Sequence, residues 1–459
     1  MDIQHFSTLW SSPFLQPVVD WSTQKPRHAV VSGCAGSADA LVISDLFASS
    51  GRPLFVLVEN GKKAETLADE CRTFLGVDAV EVFPSRDAVP YNMKSPFGPT
   101  VETRFNVLSG LLSGTKKVII APQATLLQKI VPQKTLFNRI IRLHQGDDVS
   151  IEQLSRWLID LGFRRETQVA NIGSFCIRGG IVDIYPFLTD NPYRIEYWGD
   201  TIDSIREFDV FSQKSQETKT SIEIFPMREF CLSDDQIHDT LQKIISSAKD
   251  LGADQIAAHR FEHQWKTIAD LEGIEWFLHW FDLPAVSILD YLAPETVIVW
   301  NDLIGPDRRF DEARQNYERH LTRVPEAFAP FVSKPHHLLH KEETVIELIE
   351  CFDTIYFDTL DAPADSVHLV FDFSIQPQLP RDLSLLATSL ATYHAEGLRC
   401  VILSPNVGHA ERMQELICDS CPFVEIALGF LGRGFISKKK QFLVFAENQI
   451  MGRTSQVEV

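Results

Sequence analysis

Between Val30 and Phe47 the chain reads VVSGCAGSADALVISDLF. An apolar strand, Gly33, Gly36 and a helix-like run are the parts of a phosphate-binding loop. Such a loop holds phosphates with backbone N–H groups at a helix N-terminus, a Lys on the β/γ-phosphates and a hydroxyl on Mg²⁺. Here Asp39 and Ala40 stand where the Lys and the Ser or Thr belong. Asp39 sets a negative charge where triphosphate oxygens need a positive one, and Ala40 leaves the metal without its hydroxyl. As an ATP site the stretch fails. Its glycine spacing suits a plain strand-to-helix turn equally well.

A second group of residues has the chemistry of recognition. In PYRIEYW, strand alternation puts Arg194, Glu196 and Trp198 on one face and Tyr193, Ile195 and Tyr197 on the other. The second set is the core face, which leaves an Arg and a Trp exposed side by side. Both types are enriched at binding hot spots, and a guanidinium suits a bidentate carboxylate partner. The structural alternative is that Trp198 packs on a neighbouring strand and Arg194 pairs internally with Glu196 or Asp183. Arg178 precedes Gly179 and Gly180, a β-bulge signal that can also re-aim the Arg. Cys418 and Cys421 form one close pair without a matching second half, so they read as ordinary thiols rather than a zinc or redox site.

These residues need a large scaffold. At 459 residues the chain has room for about three domains. A hydrophobic content of 44% and a charged content of 23% are ordinary for folded soluble protein. A net charge of −19 argues against gripping a phosphate backbone over a broad surface. No apolar run reaches the ~20 residues of a membrane span, no secretory signal is apparent, and the eight scattered cysteines suit a reducing cytoplasm.

Along residues 28–130 short apolar strands alternate with helical stretches, which predicts a parallel sheet covered by helices. From about Phe137 the chain turns strand-rich, with PFLTDNP and WGD turn signals, and reads as an antiparallel meander. Residues 226–350 are mostly helical around one strand, TVIVWND. A further α/β unit follows, in which Lys438–Lys440 form a solvated turn between two strand patterns.

An ordered series of segments carries a family likeness: VFPSRDAVPYN (82–92), KVIIAPQATLLQKI (117–130), FCIRGGIVDIYPF and PYRIEYWGDTIDSIREFDV within 175–210, and IEIFPMREF (222–230). Together they resemble the amino-terminal region of the bacterial transcription-repair coupling factors, the Mfd family. That region is similar to the excision-repair protein UvrB, whose LEGIE and LDYL patterns recur at 271–275 and 289–292.

The resemblance implies an α/β fold. A degenerate helicase-like, RecA- or P-loop-like domain (1–136, completed by 226–350) is interrupted by a mainly antiparallel UvrB-type domain (137–225), with a small α/β domain of unassigned function at 351–459. It implies UvrA as partner, docking on the second domain, with Arg178, Arg194 and Trp198 carried over by motif position. Trp198 stands where the best-known relatives have Phe. UvrB's acidic Asp-Glu pair falls on Asn301 and Asp302, and Asn301 cannot supply the carboxylate that organises Mg²⁺. With Gly33, Gly36, Asp39 and Ala40, this makes two breaks in the nucleotide site. The expectation is therefore a non-catalytic chain with no cofactor. ATP and Mg²⁺ would belong to the motor part of the intact parent, and the contacts to RNA polymerase and DNA to its missing C-terminal part, in which a polymerase-binding segment precedes the motor. Two other readings are weaker. A UvrB-like ATP-dependent DNA-opening enzyme is opposed by Asp39, Ala40 and Asn301, and a direct DNA binder by the −19 charge.

Overall fold

The computed structural model describes residues 5–9, 15–24, 27–86, 89–96, 98–232, 234–248, 255–268, 273–326, 328–358, 362–376, 383–417 and 419–451. Asp87 and Ala88 of VFPSRDAVPYN, Leu271 and Glu272 of LEGIE, and Cys418 lie outside them.

Leu54–Val58 and Val118–Pro122 are buried at all five positions, as strands must be when helices cover both faces of a parallel sheet. They belong to a seven-stranded, wholly parallel sheet ordered Val367–Val370, His28–Ser32, Asp353–Phe357, Val297–Trp300, Leu54–Val58, Val118–Pro122, Val80–Val82. Helices Ala38–Ser50 and Gly61–Leu75 cover one face, where Leu41, Leu46, Leu67 and Phe74 meet Val31, Val56 and Val299. Helices Gly98–Leu112, Pro306–Leu321 and Glu342–Ile349 cover the other, where Phe105, Phe310 and Val345 meet Phe55 and Leu57. Each such fully buried side chain contributes ~2 kcal/mol.

A second sheet of six strands interrupts this domain. Arg164–Arg165 runs parallel to Ser174–Arg178, and Ile181–Ile184, Tyr193–Trp198, Thr201–Phe208 and Ser215–Lys219 follow as antiparallel hairpins. Its inner face, with Phe175, Val182, Ile195 and Ile205, packs on Leu154 and Leu158 of helix Ile151–Asp160. Ser150 caps that helix by accepting from the Gln153 amide at 3.2 Å. The chain enters and leaves this unit through one antiparallel pair, Ile141–His144 with Ser221–Ile224. Just past the exit, buried Glu229 accepts from Arg104 and Arg86 of the first domain. Burial alone would raise the Glu229 carboxyl, but the two guanidiniums outweigh it and hold it down at about 2.

The third sheet has five strands, ordered Phe373–Ile375, Phe435–Ser437, Phe442–Ala446, Arg399–Ser404, Glu425–Leu428. Lys438–Lys440 make the turn of its antiparallel hairpin. The boundary expected at residue 351 needs correction, because Asp353–Phe357 and Val367–Val370 flank His28–Ser32 in the large parallel sheet. A buried strand pattern announces a strand but not the sheet it joins. Leu431, Phe435 and Val444 share one hydrophobic cluster with Leu41 and Leu67, so helices Ala38–Ser50 and Gly61–Leu75 lie between two sheets.

Candidate functional site

The polar face of the six-stranded sheet is organised by Asp183, only 1% exposed. Antiparallel register sets it opposite Cys176 on one side and Arg194 on the other. Its carboxylate accepts from Arg194 Nε at 2.7 Å and Nη2 at 2.9 Å, and from Arg178 Nη2 at 2.6 Å. Arg194 also stacks over the Phe208 ring, 4.4 Å from its centroid, and reaches the Gln213 carbonyl at 3.3 Å. The hydrogen bond to Asp183 raises its pKa above the usual Arg value.

Arg194 is therefore not the exposed neighbour of Trp198 that alternation alone suggests. A buried carboxylate without a cation would be costly, and Arg194 is drawn in to meet it. The guanidinium that reaches solvent is Arg178, whose side chain is 50% exposed at the hairpin turned by Gly179 (φ +60°). Glu196 is engaged elsewhere, by Ser204 and Arg206. Trp198 is 84% exposed at the end of its strand, opposite Thr201. The core face is as expected, with Ile195 fully buried and Tyr193 and Tyr197 packed beside it. Phe211, 96% exposed in the turn 209–214, is a further solvent-facing aromatic that alternation cannot reveal, because it lies outside any strand.

At the loop after His28–Ser32, both glycines have positive φ, +77° at Gly33 and +68° at Gly36. Helix Ala38–Ser50 begins directly after Ser37. Asp39, in its first turn, accepts from Lys63 Nζ at 3.2 Å and from Asn301 Nδ2 at 2.9 Å. The two positions read as breaks in a nucleotide site thus touch each other. Burial would lower the Lys63 pKa, yet the charges of Asp39 and Glu70 raise it. Ala40 is fully buried against the core. Asp302, beside Asn301, accepts from Arg309 Nε at 2.7 Å and Gln123 Nε2 at 2.8 Å. Lys63 and Glu70 escape a motif search because they come from the next helix, Gly61–Leu75.

Among the described residues no helix is long and apolar enough to cross a membrane, and no group of three or more His, Cys, Asp or Glu is placed to hold a metal ion.

Residues 141–230, which contain the whole six-stranded sheet, match the family described as the UvrB interaction domain. The chain is 28% identical over 288 residues to a transcription-repair-coupling factor of Bacillus subtilis (strain 168), covering 60% of this chain and 24% of that protein. It is 27% identical over 311 residues to that of Haemophilus influenzae, covering 67% and 26%. With that of Staphylococcus aureus (strain MRSA252) it shares 24% identity over 408 residues, covering 85% and 34%. The chain thus spans about a quarter to a third of the length of the curated relatives it matches. In its α/β scaffold, its inserted antiparallel domain and its sequence, the chain is similar to the amino-terminal, UvrB-like region of the transcription-repair-coupling factors.

Proposed function

We propose that this chain is a non-catalytic docking module that binds UvrA and so brings excision repair to stalled transcription in the cytoplasm. The observation that carries the reading is the outer face of the matched UvrB interaction domain. There Trp198 stands in solvent at the end of its strand, the half-exposed Arg178 lies at the hairpin of the neighbouring strand pair, and buried Asp183 holds the Arg178 and Arg194 guanidiniums. An exposed Trp and an oriented Arg on one face supply large contact area and a bidentate donor at small entropic cost. Arg194 serves this face by stiffening it.

In this reading the chain turns over no nucleotide and needs no cofactor. Asp39, held by Lys63 and Asn301, keeps a carboxylate where phosphate oxygens would come, which supports the non-catalytic assignment over a UvrB-like ATPase. Contacts to RNA polymerase and DNA, and any ATP-driven movement, belong to the remaining length of the intact protein. Contact of the docking face with that remaining part would give the intact protein an autoinhibited state.

The test is a titration of the chain with UvrA, beside an Arg178→Ala/Trp198→Ala variant shown to be folded. Saturable binding that the variant loses is the expected result. Absence of binding by the parent chain would remove the docking assignment.

A further inference from the structure

The cradle that a phosphate-binding loop would offer to nucleotide is filled from within the chain. Ser37 N–H, at the mouth of helix Ala38–Ser50, donates to the carbonyl of Arg433 at 2.9 Å, and Arg433 N–H donates back to Ser37 Oγ at 3.1 Å. The Ser37 hydroxyl donates to Glu70 Oε1 at 2.6 Å, and the same oxygen accepts from Gly432 N–H at 2.9 Å. One turn further along helix Gly61–Leu75, Thr73 Oγ1 accepts from Phe430 N–H at 2.8 Å.

The glycines are as tight as a phosphate would make them, but against protein. A Cβ on Gly36 would lie 2.5 Å from the Gly434 carbonyl oxygen, and one on Gly33 would strike that of Phe371. On the other side, a Cβ on Gly429 would meet Thr73 at 2.5 Å and one on Gly432 would meet Glu70 at 2.9 Å.

Backbone carbonyls are partial negative charges, so a helix N-terminus can hold one as it holds an anion's oxygen. The carbonyl of Arg433 has that place here. Glu70, 3% exposed, gives the oxygen that both Ser37 and Gly432 need, which a nucleotide site would not tolerate near phosphates.

We infer that the loop Val30–Ala40 is a protein-docking socket whose ligand is residues 429–434 of the same chain, and that this occupancy, and not only the loss of Lys and Ser/Thr, excludes nucleotide. The segment reaches the socket because its own sheet packs on the far side of helices Ala38–Ser50 and Gly61–Leu75 through Leu431 and Phe435. Ser37, Glu70 and Thr73 are the polar contacts of the joint.

Two measurements on the whole chain test this. The first restores the nucleotide residues, Asp39→Lys/Ala40→Thr/Asn301→Asp, and titrates a fluorescent ATP analogue with Mg²⁺. No saturable binding is expected, and saturable binding would overturn the inference. The second follows amide exchange in the parent chain and in a Glu70→Ala/Thr73→Ala variant. Peptides covering 33–38 and 429–434 should both be protected in the parent and should speed up together, by about tenfold or more, in the variant. Exchange at 113–122, on the far part of the same sheet, serves as the control for general unfolding and should not change. Fast exchange at 33–38 in the parent, or a variant in which only one of the two peptides responds, would overturn the inference.

Discussion

Asn301 Nδ2 donates a hydrogen bond to Asp39 Oδ2 at 2.9 Å, joining the end of one central strand of the large sheet to the first turn of the helix after another. With Lys63 the two residues make a satisfied polar contact. Asn301→Asp would put two carboxylates in contact. The expected outcome is a loss of ~1–2 kcal/mol of stability at pH 7, with no gain of ATP hydrolysis. Urea unfolding at pH 7 checks it, and an unchanged midpoint contradicts it.

Trp198 and Asp183 separate binding from folding. Trp198→Ala removes an 84% exposed side chain, so stability should stay within about 0.5 kcal/mol while UvrA binding weakens by ~2 kcal/mol. Asp183→Ala strands the Arg194 guanidinium, and should cost ~3 kcal/mol of stability before any partner is added. Calorimetry of the two free proteins decides the assignment. If Trp198→Ala unfolds the domain, Trp198 is a packing residue.

Glu229 ties the return of the inserted domain to Arg104 and Arg86. Its folded pKa is depressed to about 2 from the ordinary 4.5. Its contribution is therefore present above pH 4.5 and is lost as pH falls toward 2. Glu229→Gln leaves two buried cations short of charge, with an expected cost of ~3–5 kcal/mol at pH 7. The parent-minus-variant difference in unfolding free energy should be equal at pH 5 and pH 7. A difference that already fades at pH 5 would show that the pair does not hold the carboxylate down.

Glu70 has the opposite sign. Burial first, and then the charge of Asp39, push it up to about 7, although Ser37, Lys63 and Gly432 pull the other way. A raised acid binds its proton more readily folded than unfolded, so its contribution is full below 4.5 and is lost as pH rises through 7. Parent stability should therefore gain on going from pH 7.5 to pH 5 relative to Glu70→Gln, measured by paired denaturation curves. A constant difference between the two would contradict the shift.

What could be read from the chain follows the range of the interactions. Uninterrupted apolar runs such as LFVLV and VIIAP announce covered parallel strands, and the tyrosines of YRIEYW mark a core face, because burial and alternation are local patterns. The sequence offers both Asp183 and Glu196 as partners of Arg194, and only the register that sets Asp183 opposite it decides between them. Nothing local in residues 353–357 or 367–370 assigns them to the sheet of His28–Ser32. Lys63, Glu70 and residues 429–434 complete the region around Gly36 from distant parts of the chain, and no motif spacing contains them.

His28–Ser32 has neighbours on both sides in the finished sheet, and both come from beyond residue 352. On a ribosome adding 5–20 residues per second, this apolar strand waits roughly a quarter of a minute to a minute for its first pairing partner. Meanwhile the inserted domain, whose strands pair mostly with near neighbours in sequence, can finish on its own. The nascent chain thus carries a folded inserted domain on an open scaffold whose unpaired strand edges stay exposed to wrong pairing until the last strands emerge.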